Sequence, residues 1–490
     1  MNTIKRDTWS FNYFLNSSIV SPFTGKKIGL KINAQHSNSC ATGRNAYDYE
    51  NEGINTNLLQ KRPAHARTSK LETTMSYELL SKNKFLIELI YNFFYGYTND
   101  RLSIFALQTD TNFISATDWA IATTEVLQPN SYRTSIQNVE HEPLLKLYWR
   151  LSPKMVVNMS YPVRFIHEKI NDSRYAFYQT KRRNYATFEP NINVSIPGIG
   201  ELNYHISNRA APIKNLLDIN DDTQPLVNRL GNSMLKRPVS HQIMFWWQRM
   251  LGKNQRMMNV YYWYNIYVNK VSLGLSYDHL SGVSTIKPDN VNGNWDMSLR
   301  FSLSQALDKA QRLRATIGLG GKYVNSVELI NNDMSAEPKR SSVRNFEPDI
   351  SGRINYSLNK LNLALRASTS WQHITNTSNA DNNINAWKYQ VGLSAQCPLP
   401  LKLTLNSELS VRGRRGYNFS EINTDEVVLN GSLSRAFGKK DEFIVKLYAE
   451  DILGGRKNVS TIVNAQGLTE KWQNTLPRYV MLSIMWNFHK

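Results

Sequence analysis

The sequence predicts an all-β chain folded as one large antiparallel transmembrane β-barrel. Three observations predict it: apolar and polar residues alternate at period two, connections alternate between short and long, and no apolar run could cross a bilayer as a helix. A spanning helix needs about 20 consecutive apolar residues. The richest stretch, Phe85 to Tyr97, is broken by Glu88 and Asn92. With 41% hydrophobic residues and a mean hydropathy of −0.46, the 490-residue chain excludes a helical membrane bundle. A barrel tolerates that polarity, because only every second strand residue faces lipid.

Taken in chain order, the first strand runs from Trp9 to Val20 and the next clear one covers Phe85 to Tyr97, where Tyr91, Phe93, Tyr95 and Tyr97 share a face. Trp295, Met297, Leu299, Phe301 and Leu303 alternate with Asp296, Ser298, Arg300 and Ser302. The segment Leu361 to Gln372 opposes Leu361, Leu363, Leu365, Ala367, Thr369 and Trp371 to Asn362, Ala364, Arg366, Ser368, Ser370 and Gln372. Trp387 to Gln396 and Leu401 to Arg412 repeat the pattern, and Tyr479 to Phe488 closes the chain. A soluble sandwich alternates too. Runs of ten or more residues instead match a tilted bilayer crossing and exceed the usual five or six of a globular sheet. Aromatic residues near the ends of these faces, including Trp371 and Trp486 with Phe488, suit interfacial girdles.

The connections supply the orientation. Short ones such as Ser152 to Pro153, Pro197 to Gly198 and Asn359 to Lys360 carry turn-forming residues. Long polar ones such as Ala41 to Arg67, Glu168 to Asn184, Asn208 to Arg237 and Asn269 to Gly293 separate them. Outer-membrane barrels have short periplasmic turns and long outer loops. The strand count is about nineteen, an odd number, whereas a bacterial barrel with both ends periplasmic has an even one. Met1 to Asp7 is charged and no signal-like apolar segment follows. The expectation is therefore a single barrel domain over 1–490 that lacks its N-terminal beginning, through truncation or a mis-assigned start.

Several ordered segments carry a family resemblance: Ser76 to Asn83 followed by Phe85 to Tyr97, Tyr185 to Pro190, Gly231 to Lys236, and the closing pair Lys446 to Leu453 and Pro477 to Phe488. Together they resemble the TonB-dependent receptor-like outer-membrane β-barrel family. The resemblance implies a barrel of about 22 strands with a plugged lumen. It implies a cell outer-membrane location, the TonB system as partner through a plug that is missing here, and barrel assembly machinery that reads the last strand at Trp486 and Phe488. In that family the last strand commonly finishes on an aromatic residue, whereas His489 and Lys490 follow Phe488 here.

For catalysis the sequence offers no His-Glu-x-x-His, phosphate-cradling glycine loop or Gly-x-Ser-x-Gly elbow, so it reads as a non-enzyme without a cofactor. Cys40 and Cys397 form neither a disulfide framework nor a zinc spacing. The nine histidines are scattered. The formal charge of +19 calls for an anionic partner, outer-membrane lipid and lipopolysaccharide being the candidates. Its spread over alternate faces and loops argues against nucleic acid. Assigning the apolar faces to lipid points Arg300, Arg312, Arg314, Arg353, Arg366, Glu408, Arg412 and Lys446 into the lumen, with Lys146, Arg150, Arg164, Lys388, Lys402, Glu88, Asp296 and Glu450. A basic residue facing the bilayer midplane would cost about 2–4 kcal/mol. A polar lumen needs such charges whether or not it binds anything. The loop clusters Lys181-Arg182-Arg183, Lys339-Arg340 and Arg412-Gly413-Arg414-Arg415 offer contacts to lipopolysaccharide phosphates, and Trp119, Tyr132 and Trp472 are vestibule candidates. The expected role is ligand uptake or capture through long outer loops. The rivals are a non-transporting surface barrel serving as adhesin or scaffold and, more distantly, a soluble all-β binding protein.

Overall fold

In the computed structural model the protein is a meandering antiparallel sheet of 26 strands with a separate two-stranded hairpin, Val459–Val463 with Leu468–Trp472. The structure describes residues 2–20, 25–51, 54–108, 124–174, 177–224, 226–252, 255–278, 282–331, 339–378, 380, 383–417, 420, 423–438, 442–456, 459–463, 468–472 and 478–486. Expectations for Trp119 and Phe488 fall outside them.

The wall begins with Asn2–Val20, Lys27–Asn51, Ile54–Lys82, Phe85–Leu102, Tyr132–Ser152 and Met155–Arg174, each paired antiparallel to the one before. Phe177–Phe188 and Asn191–Ile196 then occupy one position beside Met155–Arg174, interrupted at Glu189-Pro190, because a proline cannot donate to the ladder. Gly200–Ser207, Val239–Leu251, Arg256–Val268, Asn294–Ala306, Leu313–Asn331 and Lys339–Leu358 follow. Leu361–Asn376, Ile384–Leu399, Leu403–Arg415, Asp425–Phe437, Phe443–Glu450 and Tyr479–Trp486 complete it. Six of the 26 strands belong to excursions beyond one rim and two share a position, leaving the nineteen positions read from the sequence. Among the described residues Asn2–Val20 and Tyr479–Trp486 are paired on one side only.

Residues directly opposite each other in an antiparallel ladder point to the same face, so the register sorts every side chain. Leu365 faces Leu393, Leu393 faces Leu409, Leu409 faces Leu429, and Leu433 faces Leu447, which faces Leu482. This apolar face is exposed: Leu365 is 46% and Leu482 64% accessible, values no soluble core would show. An aromatic belt crosses it on six neighbouring strands. Tyr264 lies 6.0 Å from Trp295, Trp295 stacks on Tyr323 at 4.9 Å, and Tyr323, Phe346, Trp371 and Trp387 continue at 6.5, 6.2 and 6.3 Å. Toward the short turns Phe85 stacks on Trp149 and Phe443 on Trp486. From Leu361 to Trp371 the apolar face runs over 11 residues, a rise which at ~3.3 Å per residue and a typical strand tilt spans roughly 25 Å, the height of a bilayer core.

Buried apolar clusters lie at the rim of the long connections, away from the membrane-height wall. Ile170 packs with Ile213, Leu216 and Leu217 of a short 3₁₀ turn, Ile213–Leu216, joined by Ile136, Ile219 and Leu235. The segments Asn208 to Arg237 and Asn269 to Gly293, expected as plain loops, instead carry the strands Asn220–Gln224, Val227–Leu230, Lys270–Tyr277 and Ser284–Val291. A parallel pairing of Val227–Leu230 with Ser284–Val291 ties the two excursions together. Ala41 to Arg67 and Glu168 to Asn184 are likewise extended hairpin arms of the wall strands.

Candidate functional site

The face opposite the aromatic belt is polar, and the backbone register builds it strand by strand. Tyr261 faces Arg300, Ser298 faces Lys322, Lys322 faces Glu347, and Ser370 faces Lys388, which faces Arg414; Gln390 faces Arg412, which faces Glu426. These residues line a cleft of about 1070 Å³. Its carboxylates are already engaged. Arg300 Nη2 donates to both Asp349 carboxylate oxygens at 3.0 and 3.1 Å, Glu347 lies 3.4 Å from Lys388, and Glu426 lies 3.8 Å from Arg414. Gly320 opposite Asp349 leaves the room this pair needs, since a Cβ built there would collide with the Asp349 carboxylate.

A second cleft of about 600 Å³ adjoins it toward the short turns, lined by Arg353, Glu408, Lys446 and Tyr448. Arg353 donates to Asn355 Oδ1 at 2.8 Å, and Arg366 lies 3.7 Å from Glu408. On the strands that build these clefts Arg353 stands directly opposite Arg366, and Lys388 opposite Arg414.

On the strands between residues 54 and 207, carboxylates gather around single cations. Arg164 is surrounded by Glu142 at 2.7 Å, Glu189 at 3.8 Å and Glu140 at 3.9 Å. Asn92 donates to Glu142 at 2.7 Å and receives Thr74 Oγ1 at 2.8 Å. Lys146 lies 3.7 Å from Glu88.

Above the wall, Asp172, Arg174, Asp221 and Lys214 form a network in which Thr134 donates to Asp172 at 2.6 Å and Arg174 reaches Asp172 and Asp221 at 3.0 and 3.4 Å. Tyr132, a vestibule candidate from the sequence, is taken up here beneath the Arg174 and Lys214 cations. Burial opposes the charge on Asp221, but hydrogen bonds from Thr223 and the neighbouring Lys214 and Arg174 outweigh it and hold the carboxyl below its ordinary range.

The register thus puts Arg300, Arg314, Arg353, Arg366, Glu408, Arg412 and Lys446 on the polar face. Arg312 lies immediately before Leu313–Asn331, outside the paired register that assigns a face. Lys402 falls in a turn, at Pro400–Lys402. Lys181 to Arg183, expected in a loop, belong to Phe177–Phe188, and Arg183 contacts Glu168 at 2.5 Å. Arg412 to Arg415 end the strand Leu403–Arg415, with Arg414 in the cleft and Arg415 turned to Asp425. Sequence reasoning missed Lys322, Glu347, Asp349 and Glu426. Extending the alternation through Leu313–Asn331 and Lys339–Leu358 would have placed the first three. Among the described residues no cluster of His, Cys, Asp and Glu suits a metal ion.

No family profile matches the chain, and no curated protein does. Solved structures do match. The RagAB peptide importer in its closed-closed state aligns over 99% of this chain and 72% of its own at 10% identity, with a TM-score of 0.51. The ferric preacinetobactin receptor BauA from Acinetobacter baumannii covers 99% and 79% at 10% identity and 0.44, and the copper transporter OprC 99% and 81% at 9% and 0.43. At such identities only the RagAB likeness, with a TM-score above 0.5, bears on this chain, and it shows the fold alone.

Proposed function

We propose that this chain, with its outer-membrane barrel fold, acts as the barrel of a TonB-dependent receptor-like transporter. It would capture a ligand at the cell surface through its outer excursions and pass it along the polar face. The observation that carries this reading is the division of one wall into two faces. An exposed apolar band bounded by an aromatic belt backs directly onto charged clefts of about 1070 and 600 Å³. Lipid is the solvent that stabilises the first face, and a water-filled or plugged lumen the one that stabilises the second. The excursions tied by Val227–Leu230 and Ser284–Val291 give the outer rim a fixed shape suited to selecting ligands. Energy for uptake would come through TonB acting on a plug, and barrel assembly machinery would insert the wall by reading the strand that holds Trp486.

The reading is tested by producing the chain with an outer-membrane export signal in a Gram-negative host and fractionating the envelope. Recovery in the outer membrane, with electrophoretic mobility that shifts on boiling, is expected. Recovery as a folded protein in the soluble periplasmic fraction would sink it.

A further inference from the structure

We propose that the cationic arc of the polar face binds a multivalent oxyanion, a solute carrying two or more carboxylate or phosphate groups. This deepens the barrel reading above and rests on it. The argument starts from cost. Like charges placed directly opposite on neighbouring strands destabilise the pair, yet the strands between residues 339 and 415 do this at Arg353 with Arg366 and at Lys388 with Arg414. The local carboxylates do not compensate fully. Asp349, Glu347, Glu426 and Glu408 each serve one cation, while Lys322, Arg353 and Arg412 have no carboxylate within 4.0 Å among the described residues.

A generic polar lumen would need charge without preferring a sign. Around Arg164 the local balance is the opposite, three glutamates on one guanidinium. The uncompensated cations open onto adjoining clefts, Lys322 and Arg412 on one and Arg353 on the other. Ser298 and Ser351 place hydroxyl groups in the larger cleft, beside Ser370, whose hydroxyl donates to Glu347. Guanidinium forks and hydroxyl donors are the groups that recognise carboxylate and phosphate oxygens. A ligand with several such groups could engage both clefts at once, and its charge would relieve the opposed cations.

The test uses the whole chain folded into detergent micelles, with heat-modifiable mobility read first on every variant. Calorimetric titration then compares citrate and pyrophosphate with spermidine at constant ionic strength. Both anions are expected to bind the wild type and spermidine not. The triple variant Lys322→Gln, Arg353→Gln, Arg412→Gln should bind at least about tenfold more weakly, while Glu140→Gln on the other arc leaves affinity unchanged. Binding of one anion only supports the inference and assigns the group. If the folded wild type binds neither anion, or the folded triple variant binds as tightly, the inference is overturned while the barrel reading stands. A wild type whose mobility does not shift on boiling would overturn the barrel reading and this inference with it.

Discussion

Two arcs of one wall share strand length, register and alternation and differ in how their charges are balanced. Around Arg164 three carboxylates and the Asn92 and Thr74 side chains close a compact set of contacts. Around Arg353 and Arg412 cations face one another or open onto clefts. The first arrangement satisfies itself and stabilises the wall. The second leaves electrostatic cost unrelieved within the protein, which is what a binding surface requires. The fold is thus written by the period of the sequence, and the proposed binding by which cations have no carboxylate beside them.

Breaking the shared feature should cost most. Leu365→Arg places a guanidinium on the apolar face near mid-span and should lower stability by about 2–4 kcal/mol, whereas Ser368→Arg on the polar face should change it little. Denaturant unfolding in lipid vesicles reads the difference. Next comes the Arg164 arc: Arg164→Met leaves Glu140, Glu142 and Glu189 without their cation. Since the Arg164 side chain is 35% exposed, solvent screening reduces the loss to about 2 kcal/mol. Arg353→Gln makes the contrast, because removing one of two opposed cations should leave stability unchanged or raise it by up to about 1 kcal/mol while weakening anion binding. A loss comparable to that of Arg164→Met would erase the distinction between the arcs.

The smallest effect concerns the excursions. Asp221 has its carboxyl held below the ordinary 3.8, so its stabilising contribution is present above that value and is lost as pH falls through the lower folded-state value. Amide exchange over residues 213–230 should accelerate in that acid window in the wild type. Asp221→Asn should already exchange faster at neutral pH and show no acid step there.

The wall was legible in the sequence because a strand with lipid on one side and water on the other must alternate, residue by residue, over its full crossing. Leu361 to Gln372, most of the strand Leu361–Asn376, could be read, together with the side on which Arg366 falls. Turns ended that legibility: Arg312 sits one residue before its strand, where no alternation constrains it. The excursions were illegible for a different reason. Ile213, Leu216 and Leu217 acquire a core only by meeting Ile170 and Ile136 from distant strands, a long-range fact that no local period encodes. The cleft was half legible. Arg300 and Arg412 followed from their strands, but pairing Asp349 to Arg300 and Glu426 to Arg414 required the register between strands.

The central claim is that one wall has a lipid face and a polar face, and single cysteines along 362–371 test it most directly. In a background with Cys40 and Cys397 replaced by serine, each is labelled with a fluorophore in vesicles containing brominated lipid. Positions 363, 365, 367, 369 and 371 should be quenched by the lipid, and 362, 364, 366, 368 and 370 by aqueous iodide instead. Quenching by iodide at both sets, or lipid quenching at neither, would contradict the account.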